Sequence, residues 1–144
     1  MIEQDTIRLL RECDAGIQMG VSAINDVMDY AHDESLRESL RISKAAHIGL
    51  DKKLRSRLDS FHDEGKDPPM MLKGMSWVKT NAKLMSDSSD HTVADLITDG
   101  CNMGIKSLSK YLNQYKAADE DSKNLTKALI GIEEKLSCDM RDYL

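Results

Sequence analysis

Apolar residues recur every three and four positions along nearly the whole chain, the spacing of one face of an α-helix. From about Asp5 to Ala31 the series is Ile7, Leu10, Asp14, Ile17, Val21, Ile24 and Met28, so one carboxylate stands among apolar residues. Asp5 or Thr6 is placed to cap that helix. Beside the series runs a strip of small residues, Cys13, Gly16, Gly20 and Ala23, against which another helix can lie closely. A glycine inside a helix costs roughly 1 kcal/mol relative to alanine, so two of them require a packing or site reason. A short turn follows, with Asp33 as a cap, and leads into a second helix that runs to about Asp63. So short a turn makes the two helices antiparallel neighbours. The stripe of the second helix is Leu40, Leu50, Leu54 and Phe61, and His47 falls inside it. Gly65 terminates that helix, and Pro68 and Pro69 forbid its continuation.

A third, shorter helix is predicted from Met70 to Met85, with Met71, Met75, Val78, Ala82 and Met85 on one face and Leu72 and Trp77 at its flanks. After a polar break at Ser86 to Asp90, the fourth helix runs from about His91 to Ala117, with Val93, Ile97, Cys101, Gly104, Leu108, Tyr111 and Tyr115 inward. The fifth runs from Ser122 to near the C-terminus, with Leu125, Leu129, Ile132, Leu136, Met140 and Tyr143 inward. Four helices of ~24–30 residues make matched rods of roughly 36–45 Å, the parts of a four-helix bundle. The short helix is long enough to carry the chain back along the bundle, which sets the fourth helix parallel to the second. The expected fold is therefore all-α: a single domain over residues 1–144, an up-down four-helix bundle with a short crossover helix between its second and third long helices.

Composition agrees with this. Aromatic residues are 4% of the chain, there are only two prolines, and β-branched residues never run more than two together, all of which suits aliphatic helix packing. A net charge of −5 argues against nucleic acid as a partner, since phosphate binding needs a clustered positive field. No apolar run approaches the ~20 residues of a membrane span. The three cysteines, Cys13, Cys101 and Cys138, form no C-x-x-C spacing, which fits a reducing cytoplasm better than a disulfide framework. No nucleotide fingerprint, phosphate loop, nucleophile elbow or zinc spacing is present.

The layout resembles the ferritin-like superfamily, and within it the small bacterial ferritin-like proteins of unknown function. The elements that carry the resemblance are His47 in the middle of the second helix, the turn Gly65-Lys66-Asp67-Pro68, Trp77 in the short helix and Tyr111 late in the next long one. Metal-binding members of that superfamily draw a Glu from each long helix and a His three residues later from two of them. The resemblance thus implies a carboxylate and histidine centre, with iron or another divalent metal, in iron or oxygen handling. Against that pattern this chain offers Asp14 with Gln18 assisting, His47, and Glu133 as a candidate metal set. It departs at three places: Lys44 stands three residues before His47, Gly104 where a Glu is expected, and Leu136 three residues after Glu133. Those departures imply a degenerate metal centre and no resident cofactor.

Each candidate also has a plainer reading. His47 can be a core histidine bonded to Asp14, Ser43 or a carbonyl, since buried polar groups are normally satisfied. Asp14, if buried, requires a partner such as His47 or a lysine. Glu133, followed by Glu134 and Lys135, reads as part of a solvated face. Cys101 reads as a small core residue, Cys13 and Cys138 as partly exposed near bundle ends, and His32, His62 and His91 as surface residues. Met71, Met75 and Trp77 make an adaptable apolar surface suited to a second subunit. The expected function is non-catalytic: a homodimer or larger homo-oligomer, or a partner-binding protein. One alternative is a metal-binding protein. Another is a small-molecule carrier with a cavity beside Gly16, Gly20 and Gly104.

Overall fold

The computed structural model describes residues 2–66, 84 and 86–144. Four long helices, α1 (Ile2–Met28), α2 (Glu34–Ser60), α3 (Asp90–Gln114) and α4 (Glu120–Met140), are followed by a short 3-10 turn over Arg141–Tyr143. The described residues contain no strand. No helix among them is long and apolar enough to cross a membrane. The expected third helix, with the interface candidates Met71, Met75 and Trp77, lies outside the described residues; Leu84, near its end, is buried in the core.

Local chemistry fixes the helix starts. Asp33, Ser89 and Asp119 each occupy an extended N-cap position and accept from the backbone of Leu36, Thr92 and Ser122. Each satisfies one of the N–H groups that a helix start leaves unpaired. The cap expected at Asp5 or Thr6 is not one. Both lie inside α1, which begins at Ile2, and both are turned to another use. Asp5 accepts from the Ala117 N–H at 3.1 Å, and the buried Thr6 hydroxyl accepts from the Asp119 N–H at 2.8 Å. α2 stops at Ser60, before Gly65: His62 already takes a positive φ of 55°, and Gly65 follows at 89°.

Contacts between helix ends set the directions. The start of α4 meets the start of α1 through Thr6 and Asp119, and the end of α2 through Arg57 and Asp119. Arg11 of α1 holds Asp63, just past α2, at 2.5 Å. At the other end Asp90 of α3 accepts from the backbone of His32 and Asp33 at 2.7 and 3.0 Å, clamping the α1–α2 turn. Tyr143 donates to Asp33 at the same end. α1 and α4 thus run one way, and α2 and α3 the other.

The core is not continuous. One apolar cluster gathers Ile24, Leu36, Leu40, Val93, Ile97 and Met140 with their neighbours. A second gathers Leu10, Ile17, Leu54, Leu58, Leu108 and Leu129. Between them lies a polar layer.

Candidate functional site

Each helix supplies one residue to that layer: Gly20 from α1, His47 from α2, Gly104 from α3 and Glu133 from α4. His47 is fully buried and Glu133 is 7% exposed. His47 Nδ1 donates to the Ser43 carbonyl one turn back, at 2.7 Å. A carbonyl can only accept, so Nδ1 carries a hydrogen. Nε2 meets Glu133 Oε1 at 2.7 Å, across 86 residues of sequence.

The two glycines make room for the pair. A Cβ at Gly20 would lie 2.6 Å from His47 Nε2 and 3.4 Å from Glu133 Oε1. A Cβ at Gly104 would lie 3.5 Å from Glu133 Oε2. The space beside these residues is filled by the paired side chains, and the space beside Gly16 by Leu129 and Leu108.

Burial by itself would lower the pKa of His47. The hydrogen bonds to Glu133 and to the Ser43 carbonyl, with the charge of Glu133, outweigh it and hold the ring above the usual histidine value. Cys101, also buried, lies near enough to the same carboxylate to feel its charge. Burial first, then the charge of Glu133, pushes that thiol far above its usual range. Such a thiol is a poor nucleophile at neutral pH. Cys13, expected to be partly exposed, is instead buried and bonded to Thr126 at 3.0 Å; burial pushes it up to about 11. Cys138 is exposed, as are His32, His62 and His91.

The sequence-predicted set of Asp14, His47 and Glu133 does not come together. Only His47 and Glu133 meet. Asp14 is six residues before Gly20, about 9 Å along the helix axis. It is buried at 1% exposure and belongs to a separate knot. Arg55 of α2 pairs with it, the Lys66 N–H donates to it at 2.8 Å, and Gln18 donates at 3.0 Å. In place of the expected His47 or lysine, the charged partner of Asp14 is an arginine, whose guanidinium spans more distance and forks onto a carboxylate. Glu133 is the second correction: it points inward, while its apolar neighbour Ile132 is only half-buried. Gly104 leaves space for a long acidic side chain on the facing helix. Within α4 the spacing from Leu129 to Leu136 admits either Ile132 or Glu133 on the inward face.

The residues present do not fit a ferritin-type dinuclear centre. Two of the four layer positions are glycine and carry no donor. The donor set is one imidazole and one carboxylate, already bonded to each other. Among the described residues no group of three or more His, Cys, Asp or Glu is arranged to hold a metal ion. No protein-family model, no curated protein and no solved structure matches this chain.

Proposed function

We propose that this chain is a ferritin-type bundle, with a crossover between its second and third long helices, whose metal centre has given way to a buried hydrogen-bonded pair. In this reading it is not an enzyme. It acts as a folded scaffold that associates with another chain, its own copy included.

One observation carries the reading: a layer of one residue per helix, with the His47–Glu133 pair at its centre, separates two apolar clusters at the level where such a bundle would hold metal, and two of its four positions are glycine. The helix directions support a crossover: α2 ends beside the start of α4 through Arg57 and Asp119, and α3 begins beside the α1–α2 turn through Asp90 and His32.

Purified protein incubated anaerobically with Fe(II), Mn(II) or Zn(II) and then desalted provides the test. The expected result is no stoichiometric metal by mass spectrometry and an unchanged melting temperature. About one metal per chain, lost in His47→Ala, would overturn this reading and favour a metal-binding protein built on His47 and Glu133.

A further inference from the structure

We propose that the associating surface is the outer face of α2, and that its occupant is a second copy of the chain, docked antiparallel about a two-fold axis between Ala45 and Ala46. The proposal rests on the self-association reading above and names its surface.

Along α2, Ser35, Glu38, Ile42, Ala45, Ala46, Gly49, Lys53 and Ser56 follow one another at three- and four-residue intervals (one step of a single residue at the centre), and all are exposed. They form one straight stripe on the exposed side of α2, whose Lys53 and Ser56 end also borders a groove against Asp121 and Leu125 of α4. Its middle carries no charge. Ile42 stands 51% exposed there, and Ile48, at 43%, borders it. Beyond Gly49 there is open space. An outward helix face is ordinarily charged or polar over its whole length.

The spacing of residues on the stripe is symmetric about its midpoint. Outward in one direction come Ala45, Ile42, Glu38 and Ser35; in the other come Ala46, Gly49, Lys53 and Ser56. A two-fold contact needs a patch that complements itself under rotation. Antiparallel pairing about the midpoint sets Ala45 against the partner's Ala46, and Ile42 against the partner's Gly49. It also sets Glu38 against the partner's Lys53, and Ser35 against the partner's Ser56. The small residues let two helix backbones approach closely. The Ile42 side chain enters the space left by a residue without a Cβ. Each end closes with an opposite charge, and the pairing occurs twice by symmetry.

Charge also excludes the parallel alternative, which would set Glu38 against Glu38 and Lys53 against Lys53. Glu38 has one intramolecular partner, Arg41 at 3.0 Å, in a pair exposed on both sides and therefore weak. Its second carboxylate oxygen remains open to another cation. Among the described residues Lys53 has no ion-pair partner.

The test is sedimentation equilibrium of the full chain at tens of micromolar, for the wild type and variants that keep the same helix content by circular dichroism. The wild type is expected to be a dimer. Glu38→Lys and, separately, Ala46→Glu weaken it at least tenfold, and Glu38→Lys with Lys53→Glu restores it, because the swap exchanges both charges of a pair across the axis. A wild-type dimer that survives both single changes keeps self-association and overturns this surface. A wild-type monomer overturns both. A monomer in which an Ala46→Cys thiol resists alkylation assigns the stripe to another segment of the same chain, and that too overturns the proposal.

Discussion

The protons on the His47–Glu133 pair can be counted. Nδ1 holds one for the Ser43 carbonyl, and the 2.7 Å contact between Nε2 and Oε1 needs another. Below the raised pKa of His47 the pair is an imidazolium beside a carboxylate. Removing that proton sets a nitrogen lone pair against a carboxylate in a buried layer. The folded pKa of His47 lies above its unfolded value of about 6.5. A raised pKa contributes stability that is fully present below the unfolded value and is lost as pH rises through the folded one. Chemical denaturation from about pH 6 upward therefore shows falling stability in the wild type, and His47→Gln removes that part of the slope. Identical slopes in the two proteins would contradict the assignment. The inward turn of Glu133 is equally a residue-scale result. Its neighbours Glu134 and Lys135 are exposed; Glu133 stands four residues after Leu129 and three before Leu136, a register that Ile132 fits equally well.

For the helices, glycine positions separate two effects that propensity alone merges. Gly20 and Gly131 both lie inside helices, and each costs about 1 kcal/mol in propensity against alanine. A methyl group added at Gly131 would have nothing within 4 Å, so Gly131→Ala stabilises the protein by up to about 1 kcal/mol. At Gly20 the same methyl meets the fully buried His47 ring at 2.6 Å. Overpacking of that kind costs about 1–3 kcal/mol, so Gly20→Ala is a net loss. Urea midpoints of the two variants, expected to move in opposite directions, decide the matter. The helix stripes and the cap at Asp33 are legible in the sequence because each is local: a period of three and four, or a side chain within one turn of the N–H it accepts from. The start of α4 is less so. Its cap is Asp119, a few residues before the expected start at Ser122, and several polar residues in that turn are chemically competent to cap.

Across the molecule, Asp14 is a clasp. It ties α1 to α2 through Arg55 and to the chain beyond α2 through the Lys66 N–H. Asp14→Ala leaves that N–H without its acceptor, at a cost of about 1–3 kcal/mol, while Arg55 keeps the Glu64 carbonyl and Asp51. Faster amide exchange at Gly65 and Lys66 than at the ends of α3 and α4 is the expected signature. Uniform acceleration everywhere would mean that Asp14 acts on global stability alone.

The sequence by itself determined that the chain is helical, where the four long helices lie, and that a histidine and an aspartate sit among apolar positions. These are consequences of helix periodicity and capping, which act over a few residues. Only the tertiary structure decided which polar groups meet. His47 joins Glu133 and not Asp14; Asp14 joins Arg55; and Gly20 and Gly104 matter for the space that side chains of other helices occupy. Such pairings depend on the rotation and axial offset of one helix against another. A turn of about 100° or a shift of one helical turn, about 5.4 Å, changes the partner while leaving the pattern along each helix unaltered.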